Sequence, residues 1–127
     1  MDSEAAPIPC CAPVLKHQLQ RSDAEQLARR FRALGEPGRL RLLSFLAAQP
    51  GGEACVCNLT EPVGLSQPTV SHHLRVLCEA GLLERERRGT WMYYRLLPER
   101  MAELRDALAP PARLPARRSG RPRRAAR

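Results

Sequence analysis

Residues 65–74 hold the most informative stretch of the chain, which reads Leu65-Ser66-Gln67-Pro68-Thr69-Val70-Ser71-His72-His73-Leu74. Ser66 is a favourable N-cap, and Pro68 lies in the first turn, where its missing N–H is harmless. The apolar residues Val70, Leu74 and Leu77 recur at helical spacing and predict one buried face. The stretch therefore predicts an amphipathic helix that begins after Ser66.

The other side chains in the first turns of this helix are short, polar and uncharged. They are Ser66, Gln67, Thr69, Ser71 and His72. Such groups suit base edges and phosphates in a major groove, and the free N–H groups of a helix N-terminus suit a phosphate. Arg75, one turn after Ser71, is placed to grip backbone phosphate. Spacing alone leaves two interpretations open, a DNA-recognition helix and an ordinary amphipathic helix with a good N-cap.

Short elements on either side of this helix predict a winged helix-turn-helix. A third helix is predicted over residues 54–63, and Gly64 makes the turn into the recognition helix. Two strands over residues 82–87 and 91–96 form a hairpin around a central glycine. The predicted fold is therefore mainly α with a β-hairpin wing, in the α+β class.

Three more helices complete the predicted domain. The first has a capping box, with Ser22 as N-cap and Glu25 reaching back, and Gly35 ends it. The second begins at Pro37, and its predicted buried stripe is Leu40, Leu43 and Leu46. The last follows Pro98 and places Met101, Leu104 and Leu108 on one face.

The tip of the hairpin is basic. The hairpin adds Arg85, Arg87, Arg88 and Arg95. Arg87, Arg88 and Gly89 at its tip suit a wing that lies over the DNA backbone or minor groove. The alternative is a solvated turn whose arginines pair with Glu84 and Glu86.

Charge is distributed unevenly along the chain. The 127 residues include 21 Lys and Arg against 13 Asp and Glu, a net charge of +8 that favours nucleic acid as a partner before a membrane. Residues 23–108 contribute only +1, whereas residues 109–127 hold seven arginines and no acid. We therefore predict a flexible arm at 1–21, the DNA-binding domain at 22–109 and a disordered tail at 110–127. The tail is either a phosphate-seeking arm or a solvated segment of biased composition.

Several classes of protein are excluded or disfavoured. No run approaches the roughly 20 apolar residues that span a membrane, and the N-terminus has acids at Asp2 and Glu4 instead of a secretion signal. We therefore expect a cytoplasmic protein without a membrane partner. The chain has no Ser/His/Asp set, no phosphate-cradling glycine loop and no plausible pair of catalytic carboxylates, so we expect neither an enzyme nor a required cofactor.

Four segments resemble the ArsR family of winged-helix repressors. They are residues 31–43 (FRALGEPGRLRLL), 65–74, 79–83 (EAGLL) and 89–96 (GTWMYYRL). The resemblance covers about residues 23–108. It implies a homodimer built from the first and last helices that binds a palindromic double-stranded operator. It also implies repression that a bound metal or metalloid relieves.

The segment Glu53-Ala54-Cys55-Val56-Cys57-Asn58-Leu59 resembles the effector motif of the arsenic- and soft-metal-sensing members. Thiolates are the ligands that soft ions select, and a helix N-terminus favours the thiolate form. On a regular helix the side chains of Cys55 and Cys57 would diverge by roughly 200°. Both therefore bind one ion only if this turn is distorted, and ligation would then pull the helix that supports the recognition helix.

The third thiolate must come from another part of the chain. Arsenic sensors with this motif often carry a further Cys at the position of Thr60, whereas another subset has an adjacent Cys pair in the N-terminal arm, completed by a thiolate of the other subunit. Cys10-Cys11 resembles that pair. The resemblance implies that Cys10, Cys11 and Cys55, with Cys57 as a fourth candidate, bind trivalent arsenic or antimony as the inducer, unless the arm's Cys pair is incidental.

Other functions remain open on the sequence. The same fold could sense oxidants through a disulfide, or could sense cadmium or lead. A non-specific DNA-coating protein driven by the arginine-rich tail is a further alternative. Cys78 is expected to be a buried structural thiol, and the adjacent His72 and His73 are expected to divide into a DNA contact and a packing residue.

Overall fold

The computed structural model describes residues 12–118, so Cys10, Cys11 and the end of the tail lie outside the described residues. The elements in chain order are α1 (Arg21–Leu34), α2 (Pro37–Ala47), β1 (Glu53–Cys55), α3 (Thr60–Val63), α4 (Gln67–Glu79), β2 (Leu83–Arg88), β3 (Trp91–Leu96) and α5 (Pro98–Ala107). Helices α3 and α4 form the helix-turn-helix, and β2, β3 and their turn form the wing. The mainly α fold with a winged helix-turn-helix is thereby confirmed.

Strand β1 is the main difference from the predicted elements. Residues 54–63 were expected to form one helix, but Glu53–Cys55 is a strand and Val56–Asn58 is a single 3₁₀ turn before α3. The strand pairs antiparallel with β3, and the sheet order is β1-β3-β2. Pairing with a strand 40 residues later in the chain overrides local helical preference, and three residues are too few for alternation to be visible in the sequence.

The start of α1 also differs from the prediction. Its N-cap is Gln20, whose side chain makes no capping hydrogen bond, so the capping box of Ser22 and Glu25 is wrong. Because the chain is already helical at Arg21, Glu25 lies one turn away and forms an ion pair with Arg21 at 3.3 Å. The predicted end of the helix is confirmed, since Gly35 is the C-cap.

The core lies where the helices meet the sheet. Its fully buried large side chains are Leu42, Leu46, Leu59, Val70, Leu74, Leu77 and Leu82. Leu40 was expected in the buried stripe of α2 but is 52% exposed. Leu42, Leu43 and Leu46 form the buried face instead, because they span roughly 100° of the helix and Leu40 lies outside that arc.

The two ends of the described chain meet near α5. The backbone N–H of Val14 donates to the carbonyl oxygen of Ala107 at 2.9 Å. Leu108 was expected on the inner face of α5, but it follows the last helical residue and is 48% exposed. Residues 109–118 contain neither helix nor strand.

In the part of the chain that the structure describes, no helix combines the length and apolarity needed to cross a membrane.

Candidate nucleic-acid interface and thiol site

Helix α4 presents its polar side chains to solvent because its apolar side is anchored in the core. Val70, Leu74 and Leu77 have no exposed surface. The Ser66 hydroxyl accepts from the backbone N–H of Thr69 at 3.4 Å and donates to the Thr69 hydroxyl at 3.0 Å. The predicted N-cap is therefore confirmed. The exposed residues of this helix and its cap include Ser66, Gln67, Thr69, Ser71, His72 and Arg75.

His72 and Arg75 act as a pair on this exposed surface. A guanidinium nitrogen of Arg75 lies 3.0 Å from Nδ1 of His72. Because a guanidinium only donates, Nδ1 is the acceptor and the neutral ring carries its hydrogen on Nε2. His72 therefore offers an N–H donor on its other ring nitrogen.

His73 has the opposite environment. It is 7% exposed, and Arg39 donates to its Nδ1 at 3.1 Å while Nε2 lies 3.5 Å from Oε1 of Glu36. Burial lowers the pKa of His73, which favours the neutral ring, although Glu36 opposes this shift. His73 is therefore buried, as the expected packing residue should be, whereas His72 is exposed, as the expected DNA contact would have to be.

Arg39 connects three helices through the half-buried cluster that it forms with Glu36 and His73. Its Nε donates to the carbonyl oxygen of Ala33 at the end of α1, at 2.6 Å, while Nη1 reaches His73 in α4. Arg39 itself lies in α2. The cluster therefore sets the position of α4 relative to the first two helices. Sequence reasoning missed it, since nothing in the local pattern relates Arg39 to a histidine 34 residues later.

The helix preceding the turn is also held by α2. Arg41 donates from Nη1 to the carbonyl oxygen of Val63 at 2.9 Å, at the last residue of α3. Gly64 follows in the left-handed region, with φ of 68°. The Arg41 guanidinium satisfies a carbonyl oxygen at the end of α3, and Gly64 permits the chain to change direction. Together they fix the turn between α3 and α4.

Alternation along β2 and β3 gives the wing two faces. Arg85 and Tyr94 lie on the inner face and line a cavity of about 450 Å³ against α4. Arg87 follows on the same face, and within residues 12–118 it forms no ion pair. Gly89 begins the turn with φ of 65°, a conformation that favours glycine. The wing thus presents an unpaired cation beside its tip.

Arg88 lies on the outer face and is already engaged. It donates to both carboxylate oxygens of Glu53, at 2.7 and 3.0 Å, and to Glu86 at 2.8 Å. Its guanidinium carbon also lies 4.3 Å from the centre of the Tyr93 ring. These hydrogen bonds lower the pKa of Glu53, so the pair stays charged. Glu84 pairs with Arg95 on the same face. The alternative in which wing arginines pair with acids therefore applies to Arg88 and Arg95.

Cys55 and Cys57 lie together where β1 ends. Cys55 is 4% exposed and caps the 3₁₀ turn, and its sulfur accepts from the backbone N–H of Cys57 at 3.4 Å. The segment is therefore a strand followed by a 3₁₀ turn, and not the regular α-helix that the sequence predicted. The hydrogen bond with the Cys55 side chain raises the pKa of Cys57, so the expectation that a helix N-terminus favours its thiolate is wrong.

Among residues 12–118, the structure brings no third ligand to this pair. Within residues 12–118, no group of three or more His, Cys, Asp or Glu side chains is arranged to hold a metal ion. The expected partners Cys10 and Cys11 lie outside the described residues. Cys78 is half-buried and lines the cavity between α4 and the wing, where burial raises its pKa. It is thus less enclosed than the structural thiol expected from the sequence.

Comparison with known proteins identifies the family. The family profile described as bacterial regulatory protein, arsR family, matches residues 36–85. An uncharacterized helix-turn-helix transcriptional regulator of Methanocaldococcus jannaschii is 39% identical over 80 residues, which cover 63% of this chain and 88% of that protein. The chain belongs to the ArsR family. Its members are DNA-binding transcriptional regulators, and the resemblance found in the sequence motifs is confirmed.

Two further relatives of this ArsR-family chain are named for resistance to arsenic or to cadmium. An arsenic resistance transcriptional regulator of Pseudomonas putida is 48% identical over 69 residues, 54% of this chain and 52% of that protein. A cadmium resistance regulatory protein homologue of Staphylococcus aureus is 32% identical over 89 residues, 70% of this chain and 72% of that protein. The chain therefore spans about half the length of the Pseudomonas putida protein and a larger share of the Staphylococcus aureus protein.

Solved structures share the fold of this family member. The homodimeric winged helix-turn-helix DNA-binding domain of a Mycobacterium bovis protein matches with a TM-score of 0.57 and 35% identity, over 71% of this chain and 82% of that chain. An antimony-specific transcriptional repressor matches with a TM-score of 0.59 and 30% identity, over 71% of this chain and 80% of that chain.

Proposed function

We propose that this chain is a homodimeric repressor that binds operator DNA without inducer and releases it when trivalent arsenic or antimony binds its cysteine thiolates. The observation that carries the proposal is the hydrogen-bonded pair Cys55 and Cys57 at the end of the strand that joins the wing. Relatives named for resistance to arsenic and a neighbour specific for antimony support this choice of ligand. Its site of action would be the cytoplasm, where thiols stay reduced.

The proposed DNA interface combines α4 with the wing tip. Its residues are Ser66, Gln67, Thr69, Ser71, His72, Arg75, Arg87 and Gly89. The first five residues would supply short donors and acceptors for base edges, while Arg75 and Arg87 would bind phosphates. Gly89 would let the wing backbone approach the duplex. Arg88 was also predicted to contact DNA, but its carboxylate partners Glu53 and Glu86 favour a role in positioning the wing.

A homodimer would place two such interfaces on one face of the duplex. Leu15 and Leu108 are about half exposed, and the hydrogen bond between Val14 and Ala107 brings their neighbourhoods together beside α5. An apolar patch at the last helix supports the expected dimer through the first and last helices, as does the homodimeric neighbour. Two-fold symmetry would set the half-sites roughly 34 Å apart, one turn of DNA.

The proposed inducer site consists of Cys10, Cys11 and Cys55, with Cys57 as the fourth candidate. Thiolates are what soft ions select, and a bound ion would supply a cross-link between these sulfurs. In the protein, β1 holds Cys55 against Tyr93 of the wing, so the position of the thiols and the position of the wing are connected through the sheet. A hundredfold loss of operator affinity requires about 2.7 kcal/mol of difference in ligand affinity between the two states.

Arsenite titration of the protein on a labelled operator tests the proposal. The operator is first selected from random duplexes, and binding is followed by fluorescence anisotropy. We expect arsenite to release the wild type from DNA. The Cys55→Ser variant should bind DNA normally, but arsenite should release it poorly. Cys10→Ser and Cys11→Ser should behave in the same way. Cys78→Ser is the matched control and should respond like the wild type, because Cys78 lines a different part of the fold.

The outcomes separate the alternatives. An unchanged operator affinity at saturating arsenite contradicts the proposal. Release by cadmium alone would assign the site to that ion, as the name of the Staphylococcus aureus relative suggests. Release by peroxide, with loss of two thiols by mass spectrometry and no response to arsenite, would make the protein a redox sensor.

A further inference from the structure

The thiol segment and the tip of the wing are connected by one side-chain contact. Arg88 is the last residue of β2, beside the turn at Gly89, whereas Glu53 is the first residue of β1, two positions before Cys55. The guanidinium of Arg88 meets both carboxylate oxygens of Glu53. Two parallel hydrogen bonds fix orientation as well as distance, so the contact holds the wing tip relative to β1.

The path of this contact runs over the central strand. Glu53 is paired with Arg95 and Cys55 with Tyr93, so all four residues lie on the outer face of the sheet. The Arg88 guanidinium passes over the Tyr93 ring at 4.3 Å on its way to Glu53. Cys55, Tyr93 and Arg88 therefore form a continuous set of contacts from the buried thiol to the wing tip.

We propose that Glu53 and Arg88 are positioning residues that hold the wing in its DNA-binding orientation and transmit movement of the Cys55–Cys57 segment to it. The part of this inference that concerns inducer rests on the proposed function; the part that concerns the inducer-free protein does not. Displacement of Cys55 moves Glu53, since both belong to a strand of only three residues. Arg88 then loses its bidentate partner, and the wing tip loses its attachment to β1.

A direct DNA contact by Arg88 makes the opposite prediction. If Arg88 bound phosphate, Glu53 would compete with the DNA, and its removal would strengthen binding. If Arg88 positions the wing, removal of Glu53 weakens binding. The sign of one measurement therefore separates the two roles.

The experiment compares Glu53→Gln with the matched control Glu84→Gln in the full chain. Both variants remove one negative charge from the outer face of the sheet, but Glu84 pairs with Arg95 and does not touch Arg88. We expect the inducer-free Glu53→Gln protein to bind operator roughly fivefold more weakly than Glu84→Gln, the effect of a well-oriented ion pair. Equal or tighter binding by Glu53→Gln overturns the proposal.

A double-mutant cycle tests whether the effect of Glu53→Gln on operator affinity depends on Arg88 or is non-specific. If Glu53 and Arg88 act as a unit, Glu53→Gln combined with Arg88→Gln weakens binding no more than the stronger single variant. Additive losses contradict the proposed coupling. Each variant is first checked by circular dichroism and thermal unfolding, and the cycle is repeated with Asn in place of Gln for any variant that does not fold.

Trp91 reports the wing independently of DNA affinity. It is the one tryptophan of the chain, it is 55% exposed, and it is paired with Arg88 across the hairpin. Arsenite should change iodide quenching of Trp91 in Glu84→Gln but much less in Glu53→Gln. Protection of thiols from alkylation by arsenite, measured in the same samples, shows whether ligand binds. If arsenite does not protect the thiols of the wild type from alkylation, the proposed function is refuted. If arsenite protects the thiols but changes Trp91 quenching equally in both variants, the coupling through Glu53 and Arg88 is refuted.

Discussion

Replacing Gly38 with alanine tests the packing between α2 and the recognition helix. At an open helical position this change stabilises a protein by about 0.4–1 kcal/mol, because alanine loses less conformational entropy on folding. Gly38 is not open. A Cβ at this residue would lie 3.0 Å from Oε1 of Glu36, 3.0 Å from Nε2 of His73 and 3.1 Å from Cδ1 of Leu65.

Those distances decide the sign of the effect. All three neighbours would have to retreat, and His73 is held from its other side by Arg39. Crowding of this kind costs about 1–3 kcal/mol, which exceeds the gain from alanine. We therefore expect Gly38→Ala to lower the free energy of unfolding by about 1–2 kcal/mol. Operator affinity should fall as well, since the displaced His73 belongs to α4.

Urea unfolding at one fixed protein concentration measures the change, because a dimer's stability depends on concentration. Gly35→Ala is the matched control. Its φ is −84°, and its Cβ would lie no closer than 3.4 Å to the Phe31 carbonyl oxygen. We expect that variant to stay within about 0.5 kcal/mol of the wild type. A Gly38→Ala protein that resists urea as well as the wild type would show that the junction is loosely packed and refute the reasoning.

Three further results are expected. Stability should fall as the pH drops below the ordinary histidine value of 6.5, because burial lowers the pKa of His73 and the unfolded chain binds the proton first; His73→Gln should flatten this part of the pH profile of urea unfolding. Arg41→Gln should cost about 1 kcal/mol in the same assay, because it removes the bond to Val63 that ends α3. Deleting residues 110–127 should weaken operator binding and reduce its dependence on salt, measured by anisotropy; complete loss of binding would favour a non-specific DNA-coating protein.

Helix α4 and the hairpin could be predicted because their signals are local. Ser66 caps, Pro68 opens and Val70 and Leu74 recur within ten residues, and all of these features are present in the structure. The wing is similarly marked by its central Gly89, and its predicted strands differ from the observed ones by one residue at each end of β2. The sequence therefore predicts an element correctly where the residues that define it lie close together in the chain.

Strand β1 and the ion pair of Glu53 could not be predicted, because their partners are distant in sequence. Arg88 lies 35 residues after Glu53, and Arg39 lies 34 residues before His73. No periodic pattern in the sequence indicates that two residues so far apart in the chain are in contact. The two thiols were found from their motif, but the motif contains no information about backbone geometry. Their actual environment, a strand followed by a 3₁₀ turn, depends on pairing with Tyr93.

The location of Cys55 in a strand changes which DNA contacts an inducer would remove. A helix over residues 54–63 would have passed a movement to α4, which offers the polar groups for base edges. Strand β1 would pass it first to the wing, where Arg87 forms no ion pair within residues 12–118 and phosphate would be its suitable partner. Phosphate contacts add affinity on any sequence, whereas base contacts set preference. Release through the wing would therefore lower affinity for operator and for random DNA together, and would leave the preference of α4 largely intact. A repressor built in this way would bind both non-specific DNA and its operator more weakly when induced, because the wing contacts that it would lose are phosphate contacts.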